Sequence, residues 1–161
     1  MIERSPIRAL FHTLTERGLQ QQNLRDEDTV EYITNLLTEY VEIENMLRAQ
    51  DAFDMVRNTG ESVPPDIRRD YYRHLGDITL FNLGLYPGHL TYGRHTISPD
   101  YYAEQGRRSY KIVASMDPSR PTAVFRKLSD QFEKCVGGLN WVKLYINDPF
   151  YRYVFREFGV T

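Results

Sequence analysis

Hydrophobic positions recur every three to four residues along most of this chain, the spacing of amphipathic helices and not the alternation of strands. Ile7, Leu10, Phe11 and Leu14 form the first stripe, with Ser5-Pro6 as a cap and first-turn proline and Gly18 as the expected stop. Asp28 and Glu31 have capping-box spacing, and Val30, Ile33, Leu36, Leu37, Tyr40, Val41, Met46 and Leu47 predict one long helix over residues 28–48. Residues 50–56 extend it or form a separate turn, and Asn58-Thr59-Gly60 through Pro64-Pro65 reads as a loop. A third helix is predicted from Pro65-Asp66 to near Leu83, where Gly84 and Pro87 oppose continuation.

Residues 86–97 read as an aromatic, glycine-rich connection, after which Ser98-Pro99-Asp100 repeats the cap-and-proline signal and opens a helix to about Met116. Val124, Phe125, Leu128, Phe132, Cys135 and Val136 mark the inner face of the next helix, which Gly137-Gly138 is expected to kink or end before Leu139–Ile146 resumes. Asp148-Pro149 starts a last aromatic helix, stopped by Gly159. Neither strand alternation nor an internal repeat is visible. The pattern predicts an all-α fold, one domain over residues 1–161 built as a bundle of about six helices.

A chain of 161 residues can bury a substantial core, and its 41% hydrophobic and 26% charged residues are ordinary for a globular domain. With a net charge of −2, no general attraction to nucleic acid or membrane is expected. The charge is uneven: residues 1–62 hold 6 basic and 12 acidic side chains, residues 63–161 hold 14 and 10, an asymmetry that could guide self-association. A single cysteine, Cys135, leaves no intramolecular disulfide and no CxxC site. Neither a signal-peptide pattern nor a membrane-spanning apolar run is visible, so a soluble, cytoplasmic protein is expected.

The chemistry-bearing stretch is residues 69–110. Asp77 lies beside Gly76 in a helix whose Leu75, Ile78, Leu80, Phe81 and Leu83 surround most of its circumference, so the carboxylate is expected to be buried. A buried carboxylate must find donors or protonate, and Arg73, His74, Tyr101, Tyr102 and Tyr110 are the donor types nearby. Arg73 and His74, four and three residues before Asp77, share its face. Gly76 and Gly106 would let two helices approach closely, which is worth the helix propensity each glycine gives up, about 1 kcal/mol. This set reads first as a structural polar centre that fixes helix docking, and alternatively as an enzyme or ligand pocket using Arg73, His74, Asp77, Tyr102 and Tyr110.

The pattern G-D-x-x-L-F-x-x-G-L at Gly76–Leu85, followed by D-Y-Y-x-x-x-G-x-x-x-Y at Asp100–Tyr110 and L-S-D-x-F at Leu128–Phe132, resembles a family of small, helical, uncharacterised bacterial proteins. The resemblance spans residues 8–140 and implies an all-α cytoplasmic protein, without supplying an activity. A second, shorter likeness is Arg69-Asp70-Tyr71-Tyr72-Arg73-His74, which matches the R-[NHD]-x-x-x-H motif of HEPN ribonucleases. There the histidine works as acid or base and the arginine holds phosphate charge across a dimer. With 16 Arg and 4 His in the chain, such spacing arises about once by chance, and the HEPN motif usually opens the last helix of its bundle.

His12, His74, His89 and His95 form none of the ligand spacings of di-iron or zinc helices, so neither metal nor other cofactor is expected. No GxGxxG, P-loop or G-x-S-x-G pattern occurs, and Cys135 has no histidine on its helix to activate it. The terminal segment carries Phe150, Tyr151, Tyr153, Val154, Phe155 and Phe158 on more than one face, more apolar surface than a single packing stripe uses. The sequence therefore predicts a non-enzymatic interaction protein, a homo-oligomer or the partner of another protein.

Overall fold

The computed structural model describes residues 6–40, 64–86, 91–92, 95–96, 98–116 and 123–146; for 91–92 and 95–96 this is the backbone alone. Among them are six helices: α1 (Pro6–Gln21), α2 (Glu27–Tyr40), α3 (Pro65–Leu85), α4 (Pro99–Met116), α5 (Ala123–Asp130) and α6 (Phe132–Ile146). Between α3 and α4 a two-residue antiparallel pair, β1 (Thr91–Tyr92) with β2 (His95–Thr96), turns the glycine-rich connection without altering the all-α class. The expected continuation of α2 over residues 41–48 and the terminal helix from Asp148 lie outside the described residues.

The starts of α4 and α2 follow side-chain chemistry, the second with a relocation, while α3 opens on Pro65 without a side-chain cap. Ser98 caps α4 as expected: its carbonyl accepts the Tyr101 and Tyr102 amides, and its Oγ also accepts the Tyr101 amide at 3.2 Å. For α2 the cap is Asp26, not the expected Asp28–Glu31 box. Asp26 Oδ2 accepts both the amide (2.9 Å) and the hydroxyl (2.8 Å) of Thr29. Glu31 instead holds Arg8 of α1 at 2.6 Å, and Asp28 faces Lys127 of α5 at 3.2 Å. Lys127 also reaches Asp26, donating to its Oδ1 at 2.7 Å, so Asp26 caps α2 with one oxygen and holds α5 with the other.

Gly18 does not stop α1. The helix runs on to Gln21 and ends in a Schellman motif: Asn23 adopts a left-handed φ of 59°, its amide bonds Gln20 O, and the Leu24 amide returns to Leu19 O. Asparagine supplies the left-handed residue for which glycine was the expected type. Gly18 serves packing instead, since a Cβ there would sit 2.5 Å from the Gly138 carbonyl oxygen on α6. Gly137-Gly138 likewise does not end its helix, which runs on to Ile146. The break falls at Gln131, where the Gln131 and Cys135 amides still bond Lys127 O and Gln131 O, so α5 and α6 follow one another with helical bonds across the junction.

The core is a single cluster. α1 contributes Phe11 and Leu19; α2 Val30, Ile33, Leu36, Leu37 and Tyr40; α5 and α6 Phe125, Leu128, Phe132, Cys135 and Leu139. α3 packs on α2, α4 and α6, and its ten residues Gly76–Leu85 are all buried. The stretch expected to face little water faces almost none.

The α1–α6 crossing sets up a contrast between two glycines. Gly18→Ala should lower stability by roughly 1–3 kcal/mol in urea unfolding, because its methyl meets backbone that cannot turn aside. Gly137→Ala meets only the end of the Gln22 side chain and should be neutral or stabilising, since alanine gains up to ~1 kcal/mol in helix propensity. Equal losses at both sites would contradict this account of the crossing.

Candidate functional site

Asp77 sits at the start of the fully buried part of α3, 4% exposed. Its Oδ1 accepts two hydroxyls from two other helices: Tyr32 of α2 at 2.6 Å and Tyr110 of α4 at 2.7 Å. Both bonds are at the short end of hydroxyl–oxygen distances. No described residue bonds Oδ2.

Aromatic packing holds the two donors. The rings of Tyr32 and Tyr110 meet edge to face at 6.2 Å, Phe125 lies 5.3 Å from Tyr32 and 6.0 Å from Tyr110, and Phe132 lies 6.1 Å from Tyr110. The paired glycines make room for these rings. A Cβ on Gly76 would lie 2.6 Å from Tyr110 Cε1, and one on Gly106 would strike the ring of Phe132. The expected close approach is thus ring against backbone, which places Tyr110 one residue away from the carboxylate it serves.

Of the donors expected from sequence, only Tyr110 bonds Asp77. Arg73 stands one turn earlier on α3, half-buried, and acts on Asp77 by charge without a hydrogen bond. His74 is half-buried with its Nδ1 unpartnered among the described residues, and burial, then the charge of Arg73, holds its pKa below the usual imidazole range. Tyr101 is 52% exposed. Tyr102 is buried against the Tyr101 ring, eight residues or about 12 Å of helix before Tyr110, and does not bond Asp77. Same-face spacing made Arg73 and His74 plausible, but the tyrosines of α2 and α4 fill the acceptor first.

Tyr32 is the member that sequence reasoning missed. It lies 45 residues from Asp77, on α2, and is not a member of the stripe read from the sequence. Tyr40, two turns further along α2, packs at 5.4 Å and a 59° tilt against Phe81 and has its hydroxyl buried with no hydrogen-bond partner among the described residues. The charges of Asp77 and Arg73 both act on it.

Burial dominates the electrostatics. It pushes Asp77 up to about 6, against the two tyrosine bonds and Arg73, which favour the ionised form; Glu39 adds a smaller push upward. Burial, and then the charge of Asp77, raises Tyr32 and Tyr110 well above the ordinary phenol range, so both remain protonated donors. Burial likewise pushes the Cys135 thiol up to about 12, which leaves it an inert core residue. Among the described residues no group of three His, Cys, Asp or Glu is placed to hold a metal ion. Chemically, the centre can hold or release a proton and tie three helices together, while its one served oxygen is already filled by the protein's own hydroxyls.

Comparison with profiles of known protein families, with curated proteins and with solved structures finds no match.

The tyrosine-served carboxylate generates an ordered series. At pH 7.5, Asp77→Ala should cost about 2–5 kcal/mol in urea unfolding, because two buried hydroxyls lose their acceptor and a void is left. Asp77→Asn should cost clearly less, since the amide oxygen still accepts and no charge is buried. Unchanged unfolding curves for both variants would refute a structural centre.

Proposed function

We propose that this protein is a non-enzymatic helical interaction protein that self-associates, with the Asp77 centre as its internal organiser. The observation that carries the reading is the closure of Asp77: 4% exposed, its Oδ1 filled by Tyr32 and Tyr110. A catalytic or ligand-binding carboxylate has to present an oxygen to something outside the fold, and this one serves the docking of α2 and α4 on α3.

For the contact surface we look to the terminal segment with Phe150, Tyr151, Tyr153, Phe155 and Phe158, and to the helix that leads into it. On α6, Leu144 is 72% exposed beside the Trp141–Tyr145 pair, whose rings stack at 4.1 Å. An exposed aliphatic next to stacked aromatics, running into more apolar sequence, suits a protein partner, and a near-neutral chain gives nucleic acid little to hold. No described helix is long and apolar enough to cross a membrane. The GDxxLFxxG…DYYxxxG pattern supports kinship with the small helical bacterial proteins it resembles, and a cytoplasmic setting follows from that kinship.

Sedimentation of the full chain at micromolar concentration should show a dimer or larger species. Deleting residues 148–161, or substituting Leu144→Asp at its exposed position, should shift it toward monomer. A full chain that sediments as a monomer throughout that range overturns the self-association reading.

A further inference from the structure

Asp77 is 4% exposed and no described cation bonds it, a setting that an ionised carboxylate does not favour. An anion spreads its donors over two equivalent oxygens and draws in a nearby guanidinium. Here both donors converge on Oδ1, Oδ2 receives none from the described residues, and Arg73, one turn away on the same helix face, makes no hydrogen bond to it. The carboxyl is thus buried without an ion pair, and that burial favours its protonated form while the two tyrosine bonds favour the anion.

We propose that Asp77 is a proton-operated latch: the packing of α2 and α4 on α3 is built around its protonated form, and loss of that proton loosens the three-helix junction.

The groups around it are few. α2 brings Tyr32, Tyr40 and Glu39, α4 brings Tyr110, and α3 itself brings Arg73, with His74 beside it under the influence of Arg73, Asp70 and Glu39. α5 and α6 contribute only the apolar rings of Phe125 and Phe132 against the tyrosines. Arg73 is thus the one cation acting on the carboxylate among these groups; it opposes proton uptake and is outweighed by burial. Because Asp77 is raised from 3.8 to about 6 in the fold, its contribution to stability is fully present below the lower value. It is lost as pH rises through the upper one.

The latch rests on the closed-centre part of the reading above, which the substitutions at a single pH test separately. The experiment is urea unfolding of the full chain from pH 4 to 8, wild type beside Asp77→Asn. The ratio of their folding equilibrium constants should fall on the order of a hundredfold as pH rises across that range, nearly all of it below pH 7, and then level off. His74 and the surface carboxylates are common to both chains and cancel in the ratio. Tyr32→Phe and Tyr110→Phe keep the rings but remove a bond that favours the anion, so each should move the midpoint of the fall upward. Parallel pH profiles for wild type and Asp77→Asn overturn the proposal. Should Asp77→Asn not fold, the carbon-13 carboxyl resonance of Asp77 in the wild-type chain decides: titration near pH 6 supports the latch, and titration in the ordinary aspartate range overturns it.

Discussion

A carboxyl group placed where an apolar core should be is the constraint that the rest of this fold answers. The stretch Gly76–Leu85 is buried at every position, so α3 needs neighbours on all sides, and one of its first buried residues cannot be satisfied by hydrocarbon. Leaving that group without partners would cost several kcal/mol, a large fraction of the net stability of a typical domain. The remedy is two hydroxyls brought from α2 and α4 to a single oxygen. Those bonds specify more than they stabilise. Hydrophobic stripes alone would let α2 and α4 slide along α3 by a turn with little change in buried area, whereas two oxygen-to-oxygen distances near 2.7 Å fix the register of both helices at once.

Holding tyrosines rather than arginine or histidine against the acid has consequences for the chemistry. A phenol donates without bringing a charge into the core, so the centre avoids the desolvation of a second ion, and its aromatic body packs against Phe125 and Phe132 as any core ring would. The outcome is a carboxyl whose proton is governed mainly by burial, with the remote guanidinium of Arg73 and the two phenols pulling in the opposite direction. In an open cleft a carboxyl poised near neutrality would invite a catalytic reading. Here the lone pairs of Oδ1 are committed to the protein's own hydroxyls.

What could be read from the sequence was whatever is local. The stripes of α1 to α4, the Ser98 cap, the burial around Asp77 and the importance of Gly76, Gly106 and Tyr110 all follow from residues within a turn or two of one another. Three features were not legible, for related reasons. Asp26 displaced Asp28 as the α2 cap where Lys127, distant in sequence, holds its second oxygen at 2.7 Å, and Arg8 holds Glu31. Gly18 and Gly137-Gly138 carry the same local signal whether a helix ends or another helix presses against it, and only the crossing of α1 and α6 separates the two. Tyr32 is invisible as an Asp77 ligand until α2 is docked. Each of these depends on a long-range contact, and single-sequence periodicity contains none.

The glycines of the centre explain why an apparently weak helix sequence is tolerated here. Gly76 and Gly106 each give up about 1 kcal/mol of helix propensity relative to alanine. In exchange, the Tyr110 ring lies where a Gly76 side chain would be, and the Phe132 ring lies over Gly106. An alanine at Gly76 would push Tyr110 outward, and a displacement of even half an ångström degrades a bond of 2.7 Å to Asp77. The glycine, the ring and the carboxyl therefore act as one unit spanning two helices, and this unit is the physical content of the G-D and G-x-x-x-Y spacings in the sequence.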